Sequence, residues 1–447
     1  MKEIFSVFVA LLTLFSGSFS QARMPSLPFK QMTLANGLEV IILEDHSSPT
    51  VSVHVLYKVG GKNDPPGRSG FAHMFEHMMF KATKNMPDEQ MDRLTEDIGG
   101  FNNASTWPDF TNYYEVVPSN HLERILWAEA DRMVNLNVDE RNFASERDVV
   151  KEEFRQRVLA PPYGRLFWLL DNLSYQKHPY KRGVIGNLDE LSAATRTDAE
   201  NFYKTYYRPD NAVLIVVGDF DTPQLQKWVQ KYFGRIPKPA AEIPRVTVRE
   251  PDWLTERRYR ETGPRVPFPA TAIIYRAPAS NHPDIPALRL AAAILSGGES
   301  SRLYKSLIRE LKIAQQAELD LELNTDGGRI TFIGIASEKG DSESLERAWL
   351  DELTKIQRNA VSAKELQKAK NQLISQAIRL LETNDGKAIA IERAIVYEQN
   401  PQAVNSEIPR LQSVTAADIK RVMNKYFRTN NRVVIFYNQT KGEEVRK

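Results

Sequence analysis

Two stretches of the chain, LSAATRTDAENFYKTYYRPDNAVLIVV at residues 191–217 and LQSVTAADIKRVMNKYFRTNNRVVIF at residues 411–436, carry the same pattern 220 positions apart. In each stretch a helical pattern leads through two aromatic residues and an Arg into an apolar run, at residues 212–218 and 432–437, that predicts a β-strand. The seven identical positions pair Leu191 with Leu411, Thr195 with Thr415, Asp198 with Asp418, Tyr206 with Tyr426, Arg208 with Arg428, Asn211 with Asn431, and Val213 with Val433. Duplication of an α+β unit is the simplest explanation, and a coincidental helix-to-strand junction is the alternative.

A proline-rich segment separates the two copies. Residues 234–250 contain Pro237, Pro239 and Pro244, which indicates a stiff, extended linker. We therefore predict a first domain at residues 26–236, a linker at residues 237–255, and a second, homologous domain at residues 256–447.

The N-terminal part of the first domain has the signals of a hairpin, a strand and a helix. Asn36-Gly37 lies between two apolar runs and predicts a hairpin turn. An alternating strand is predicted at residues 51–59, and a Gly- and Pro-rich stretch separates it from a helix that starts at about Phe71. Further helices are predicted at residues 120–134 and 139–158. The expected fold class is α+β, with two homologous α/β-sandwich domains, each an antiparallel-rich sheet covered by helices.

The composition is that of a globular protein without a strong charge. The chain has 447 residues, of which 42% are hydrophobic, enough to form two or three buried cores. The formal net charge is +2, so we expect no nucleic-acid partner. Cysteine is absent, which excludes disulfides, thiolate metal ligands and a thiol nucleophile. Any metal must therefore be bound by His and carboxylate side chains.

The start of the chain has the pattern of a secretory signal peptide. Residues 1–22 combine a Lys near the start, an apolar run from Ile4 to Phe15, and small residues before Ala22, after which we expect cleavage. A membrane anchor is the alternative, but this run of 12 residues is shorter than the roughly 20 that a bilayer requires. We therefore predict an exported protein, periplasmic or secreted, without a stable membrane anchor.

A candidate metal site lies in His73-Met74-Phe75-Glu76-His77, an H-x-x-E-H pattern within the predicted helix. Residues four apart lie on one helical face, so the two imidazoles can bind one ion. Glu76 is close to that ion without having to ligate it, which is the position of a general base. A catalytic zinc needs a third protein ligand. The alternative is a pair of His hydrogen-bonded within a helix packing face.

With its flanks, GRSGFA at residues 67–72 and FKAT at residues 80–83, this motif resembles the inverted zinc motif of the pitrilysin and insulinase (inverzincin) metallopeptidases. The similarity runs from about Thr33 to the C-terminus and is strongest to short, two-domain bacterial members related to processing peptidases. It implies one Zn²⁺ per chain.

The resemblance also implies the third zinc ligand and a supporting carboxylate. In the family, a Glu far beyond the second His binds zinc, and another required acidic residue precedes it by seven positions. Glu153, 76 residues after His77, and Glu146 match that pattern. Seven residues make two helical turns, so Glu146 and Glu153 share a face, and Glu146 is expected to orient a ligand imidazole. Glu152 is expected to face solvent.

The sequence GGFNNAST at residues 99–106 resembles the family's substrate-binding strand. The likeness implies that an extended peptide adds to the edge of this strand near Asn103, Ala104 and Thr106, held by backbone hydrogen bonds. Phe80 occupies the position that lines a substrate pocket in relatives, with a core position as the alternative.

The second half lacks the zinc motif, because its equivalent helix, at about residues 290–295, reads LAAAIL. The resemblance therefore implies an inactive copy. In active relatives this half commonly supplies an Arg and, about six or seven residues later, a Tyr as hydrogen-bond donors to the substrate. Arg309 is the candidate for the Arg, but Gln315 and Gln316 stand where the Tyr is expected.

The family's full-length enzymes enclose the substrate with four homologous domains, whereas two are predicted here. The resemblance thus implies a dimer, either with a homologous non-catalytic subunit or with a second copy of the chain.

Together these features predict a zinc-dependent endopeptidase that hydrolyses peptides or small unfolded polypeptides, with Glu76 as the base that activates water. Two alternatives remain. The first is a non-catalytic binding or assembly subunit, such as the family's respiratory-complex core proteins. The retention of His73, Glu76, His77 and Glu153 argues against this alternative. The second is a processing peptidase that removes targeting sequences, whose mitochondrial form the signal peptide disfavours.

Overall fold

The computed structural model describes residues 26–440, so the predicted signal peptide at residues 1–22 lies outside the described residues. The strands within this range are β1 Lys30–Thr33, β2 Glu39–Glu44, β3 Thr50–Tyr57, β4 Phe101–Thr106, β5 Thr111–Pro118, β6 Ala212–Gly218, β7 Arg257–Gly263, β8 Ala270–Arg276, β9 Ala314–Glu322, β10 Arg329–Ala336 and β11 Arg432–Gln439. The α-helices are α1 Phe71–Met78, α2 Gln90–Glu96, α3 Leu122–Asn135, α4 Glu140–Phe154, α5 Gly164–Ser174, α6 Leu188–Ser192, α7 Arg196–Tyr206, α8 Thr222–Tyr232, α9 Ile285–Ser296, α10 Ser342–Arg358, α11 Ala363–Leu380, α12 Asn384–Glu398, α13 Glu407–Ser413 and α14 Ala416–Tyr426. Two π-helical segments, Arg155–Leu159 and Tyr304–Glu310, and a 3-10 helix, Pro401–Ser406, complete the longer elements.

The strands form two mixed sheets. The first has six strands in the order β1-β2-β6-β3-β5-β4, and the second has five in the order β7-β11-β8-β10-β9. The pairs β2–β6 and β7–β11 are parallel, and the other neighbours are antiparallel. Apart from β1, each strand of the first sheet has a counterpart at the same place in the second. The predicted fold class, two homologous units with antiparallel-rich sheets covered by helices, is confirmed.

The duplicated stretch folds in the same way in both copies. Thr195 and Thr415 each cap the following helix in a reciprocal capping box with the Asp three residues later. The side chains of Asn211 and Asn431 each donate a hydrogen bond of 2.9 Å to the carbonyl of the Tyr five residues earlier. These bonds fix the turn from helix to strand, so β6 and β11 enter the middle of their sheets at the same point.

The predicted hairpin at Asn36-Gly37 is confirmed, since β1 and β2 pair in antiparallel register from Thr33 opposite Glu39. Gly37 has a φ of 93°, a conformation that favours glycine. The Asn36 amide donates to the carbonyls of Phe233 and Ile236 at 2.8 and 2.9 Å, so the turn is tied to the end of the first unit.

The two units exchange one helix each. One face of the first sheet is covered by helices of its own unit, and the other face packs against α12 of the second unit through Ala388, Ile391 and Ile395. In return, Leu166 and Leu170 of α5 pack against the outer face of the second sheet. Residues 164 and 384, where α5 and α12 begin, are 220 positions apart, the offset of the repeat. The exchange follows the duplication and joins the units over a large apolar surface.

The segment between α8 and β7 contains no helix or strand in the structure. It is nevertheless attached to both units. The Glu250 carboxylate accepts the backbone N–H groups of Gln176, Lys177 and His178 at 2.6–2.9 Å, and Trp253 is buried against the second sheet.

Candidate metal centre

The helix that carries both motif histidines, α1, is held at its first turn by a buried carboxylate. Gly70 precedes the helix with a φ of 90°. Asp64 accepts hydrogen bonds from the N–H groups of Gly70 and Ala72 at 2.7 and 2.8 Å. Burial raises the pKa of Asp64 to about 7, although these hydrogen bonds oppose the shift. Asp64 therefore fixes where α1 begins, a role that its position in a Gly- and Pro-rich stretch did not indicate.

The structure brings together the three predicted metal ligands. His73 and His77 project from one face of α1, and Glu153 reaches them from the last turn of α4. The Glu153 Oε2 atom lies 3.5 Å from His73 Nε2 and 3.4 Å from His77 Nε2. All three ligand atoms lie within 4.8 Å of one another. Two helices that are far apart in sequence thus converge on one point.

This arrangement fits a zinc ion. With metal–ligand distances of about 2.0–2.2 Å, tetrahedral zinc keeps its ligand atoms roughly 3.3–3.6 Å apart, the range of the two distances to Glu153. The buried Glu153 Oε2 makes no close, well-aligned hydrogen bond to the described residues, and its two imidazole neighbours lie 3.4 and 3.5 Å away. A buried carboxylate oxygen of this kind is costly unless it is paired or binds a metal. Two imidazoles and one carboxylate are also a donor set of catalytic zinc.

The protonation of the imidazoles is consistent with metal binding. Burial lowers the pKa of His73 to about 4, and the neighbouring His77 lowers it further against the opposing charge of Glu153. His73 is therefore neutral at physiological pH, the form that ligates metals. Burial lowers the pKa of His77, but the carboxylates of Glu153, Glu76 and Glu146 outweigh it and raise the pKa overall. Metals ligate the neutral imidazole, so metal binding and protonation of His77 exclude each other.

Glu146 lies where it can orient His77. It is buried on the same face of α4 as Glu153, with Oε2 3.7 Å from His77 Nδ1. Its other oxygen pairs with Lys81 Nζ at 3.1 Å. Glu152 is exposed and pairs with Arg155 at 3.1 Å, so it points away from the centre.

Arg157 was not singled out by the sequence. Its guanidinium lies 2.8 Å from Glu153 Oε1, so the two oxygens of Glu153 have different partners. Arg157 thus contacts the carboxylate oxygen that does not face the histidines. The spacing of Glu153 and Arg157, four residues apart, is the one sequence signal for this pair.

Glu76 lies on α1 beside the candidate ligands and contacts the edge strand. The Thr106 hydroxyl donates to Glu76 Oε2 at 2.5 Å. Burial raises the pKa of Glu76, while the hydrogen bond from Thr106 and the nearby His77 lower it. The sequence identified both residues but gave no reason to expect contact between them.

The predicted substrate strand, β4, forms the edge of the first sheet. Asn103 is exposed, Ala104 is buried, and Thr106 is half-buried. The side-chain oxygen of Asn103 accepts the N–H of Ala104 at 2.8 Å. Phe80 is half-buried and packs against the first core, with its ring centroid 6.2 Å from that of Tyr113. Phe80 thus has an exposed part and a core contact.

The structure does not bring Arg309 to this group. Arg309 is exposed on the π-helical segment of the second unit, and it is not among the residues that line the cavity between the units. That cavity has a volume of about 1050 Å³ and includes Thr106 and Arg157, the partners of Glu76 and Glu153, in its wall. Gln315 donates to the carbonyl of Ala336 at 3.0 Å and so stabilises the β9–β10 pair.

Comparison with known proteins agrees with the fold. The family models "Insulinase (Peptidase family M16)" and "Peptidase M16 inactive domain" match residues 39–187 and 193–373. A zinc protease of Helicobacter pylori, PqqE, is 30% identical over 96% of each chain. The probable mitochondrial-processing peptidase subunit beta of Arabidopsis thaliana is 27% identical over 88% of this chain and 75% of its own.

A solved structure shows the same architecture. The crystal structure of a protease from Helicobacter pylori superposes with a TM-score of 0.90 at 30% identity, covering 93% of this chain and 100% of the other. The resemblance seen in the sequence is therefore confirmed. The chain belongs to the insulinase family of M16 peptidases, a family that includes zinc proteases and inactive members.

Proposed function

We propose that the protein is a zinc-dependent endopeptidase that hydrolyses peptides or small unfolded polypeptides. One observation carries the proposal: the ligand atoms of His73, His77 and Glu153 lie within 4.8 Å of one another, and the Glu76 carboxylate is close enough to interact with His77 and Glu153. Ligands of this type, accompanied by a carboxylate that does not ligate, are what a hydrolytic zinc site requires. The name of the 30% identical relative, a zinc protease, supports the same function.

The residues divide the chemistry between them. When bound, zinc supplies a Lewis acid that polarises the peptide carbonyl and lowers the pKa of a water molecule. Glu76 accepts the proton of the attacking water and delivers it to the leaving amide nitrogen. Glu146 keeps His77 turned so that Nε2 faces Glu153.

The substrate binds as an added strand on β4. Ala104 and Thr106 present backbone groups along the free edge, and Phe80, which packs beside Tyr113, contributes apolar surface. Backbone pairing holds an extended peptide without regard to its sequence, which suits unfolded substrates. Binding requires the Asn103 side chain to release the N–H of Ala104.

We further propose that the chain is the catalytic subunit of a dimer. The second unit has no metal motif in α9, and Arg309 lies outside the cavity wall. A partner, either a homologous non-catalytic subunit or a second copy, then supplies the missing donors to the substrate. Peptidase activity of the purified chain, measured alone and with its non-catalytic homologue, tests this assignment. Full activity of a monomer would contradict it.

We also propose that the protein is exported to the periplasm or secreted. None of the helices within residues 26–440 is long and apolar enough to cross a membrane. N-terminal sequencing of the protein from an extracytoplasmic fraction should give a chain that starts at Arg23. A chain recovered in the cytoplasm with its first residues intact would contradict export.

The function is tested by zinc analysis and peptide cleavage of the wild type and Glu76→Gln. We expect both proteins to bind one zinc per chain. The variant should lose at least about 100-fold in kcat, because general-base catalysis contributes 10²- to 10⁴-fold. A wild type that binds zinc but cleaves no peptide, alone or with a partner, would favour a non-catalytic binding subunit. Unchanged activity of the variant would exclude Glu76 as the base.

A further inference from the structure

A hydrogen bond between Thr106 and Glu76 links the edge strand to the candidate metal centre. The Thr106 hydroxyl donates to Glu76 Oε2 at 2.5 Å, and the backbone N–H of Thr106 also faces the carboxylate. An O–H to carboxylate hydrogen bond of about 2.5–2.7 Å is charge-assisted and among the stronger kinds in proteins. The other oxygen, Oε1, accepts no side-chain hydrogen bond from the described residues.

The register of β4 leaves the backbone groups of Thr106 outside the pairing with β5. The N–H of Trp107 bonds to the carbonyl of Phe110 within the β4–β5 hairpin at 2.8 Å. Backbone groups alternate in direction along a strand, so those of Thr106 point away from β5, toward the free edge. Thr106 therefore reaches Glu76 without giving up a hydrogen bond within the sheet.

The neighbouring positions hold Thr106 in place. The Ser105 hydroxyl donates to Asn112 Oδ1 at 2.6 Å, and Asn112 donates to both oxygens of Glu392 at 2.9 and 3.0 Å. Glu392 belongs to α12, the helix that the second unit contributes to the first sheet. These hydrogen bonds attach β4, through β5, to α12, so the Thr106 hydroxyl has a defined position relative to α1.

We infer that Thr106 is a positioning residue for Glu76: its hydroxyl holds Oε2 so that Oε1 is presented to the reacting water. This inference rests on the proposed peptidase function and assigns to Thr106 a role beyond backbone pairing with the substrate. A Glu side chain has three rotatable bonds, and a displacement of about 1 Å at a reacting group can cost roughly 100-fold in rate. One bond to a fixed hydroxyl removes most of that freedom.

The kinetic test uses Thr106→Val, which keeps the shape and removes the hydroxyl, and Thr106→Ser, which keeps the hydroxyl. We expect Thr106→Val to lower kcat by about 10- to 100-fold with KM within about twofold of wild type. Thr106→Ser should recover at least about half of the lost activity. A kcat for Thr106→Val within about twofold of wild type, or Thr106→Ser as impaired as Thr106→Val, would overturn the inference.

Thr111→Val is the matched control. Thr111 lies opposite Thr106 in the β4–β5 register, and its hydroxyl donates to the carbonyl of Val59 at 2.9 Å rather than to Glu76. We expect this variant to lose stability while it keeps its kcat. An equal loss of kcat in both Val variants would mean that the integrity of the hairpin matters and not the contact with Glu76.

A second readout requires neither zinc nor turnover. In crystal structures of the metal-free proteins, we expect one Glu76 rotamer in the wild type and in Thr106→Ser, and several in Thr106→Val. A single, unchanged rotamer in Thr106→Val would overturn the inference even if the enzyme is active. If the wild type cleaves no peptide, the proposed function fails, whereas the rotamers still decide the role of Thr106.

Discussion

The two units share one topology but differ in chemistry, and the helices α1 and α9 show the difference most clearly. Both pack against the sheet of their own unit. Helix α1 carries His73, Glu76 and His77 among its buried apolar residues, whereas α9, IPALRLAAAILS, contains no His, Asp or Glu. Apolar patterning and capping are therefore sufficient for the fold of both units. The candidate metal centre depends on a few polar residues that are present in only the first unit.

An acidic residue at the same place in both repeats has two different roles. Asp64 and Asp284 are 220 positions apart. Asp64 is buried and binds the backbone at the start of α1. Asp284 instead pairs with Arg421 at 2.6 Å and Lys425 at 2.8 Å, and these partners lower its pKa against the opposing effect of burial. In the first unit this position supports the metal helix, and in the second it joins α9 to α14.

The largest effect is expected when a metal ligand of the first unit is removed. A His of the second unit serves as the control. His77→Ala should lower zinc affinity by more than about 100-fold, since losing even an outer partner of a ligand costs 10- to 100-fold. His282→Ala, which removes a half-exposed His next to Asp284, should leave zinc affinity unchanged. Competition with a chelator measures both values. Equal losses would mean that the centre is not confined to the first unit.

The next effect concerns the exchanged helix α12. His54 is fully buried between Asp385 and Glu392, each at 3.0 Å, and its ring stacks on Tyr114. Burial alone would lower the pKa of His54, but the two carboxylates raise it to about 9. Because the pKa of His54 is higher in the folded than in the unfolded protein, protonation of His54 stabilises the fold. This stabilisation is fully present below about pH 6.5, the pKa of an unperturbed His, and is lost as the pH rises through about 9.

His54→Gln should therefore cost about 3 kcal/mol in unfolding free energy near pH 6, the range for breaking a buried charge pair. The difference from wild type should shrink by about pH 10. Urea denaturation at both pH values measures it, with His121→Gln at the start of α3 as the control. A difference that does not depend on pH would show that His54 acts by packing rather than by charge.

A smaller effect on zinc affinity is expected when the Glu146 carboxylate, next to His77, is removed. Glu146→Gln should weaken zinc binding by about 10- to 100-fold, because an outer-shell partner no longer orients the imidazole. Glu152→Gln, six residues along the same helix and exposed, is the matched control and should bind zinc as the wild type does. If Glu152→Gln weakened zinc and Glu146→Gln did not, the assignment of the α4 faces would be wrong.

The smallest effect should be equal in the two units. Thr195 and Thr415 make the same capping contacts: each hydroxyl accepts the N–H of the Asp three residues later, at 3.2 Å in both copies. Each Thr→Ala variant should lose about 1 kcal/mol of stability, as expected for an N-cap. Urea denaturation compares them, and zinc affinity should not change. A loss in only one variant would show that the repeats differ energetically despite their equal geometry.

Local signals in the sequence were sufficient for much of the fold. The hairpin at Asn36-Gly37, the start of α1 at Phe71 and the repeated helix-to-strand turn were all predicted, because each is decided by neighbouring residues. The helix predicted at residues 139–158 continues as α4 to Phe154 and then as the π-helical segment to Leu159.

Contacts between distant residues could not be predicted in the same way. The bonds from Asp64 to the start of α1, from Thr106 to Glu76 and from His54 to α12 each join residues whose pairing has no local pattern. The exchange of α5 and α12 is also invisible to periodicity, because an apolar helix face does not reveal which sheet it covers. Among the candidate ligands, His73 and His77 followed from their spacing on one helix face, whereas Glu153 was found through family likeness, since spacing alone does not single it out.

The most direct test of the metal centre is anomalous diffraction at the zinc edge from crystals grown with zinc. We expect one strong peak per chain, about 2.0–2.2 Å from His73 Nε2, His77 Nε2 and a Glu153 oxygen. A peak bound by other residues, or zinc-saturated crystals without a peak between α1 and α4, would contradict the account.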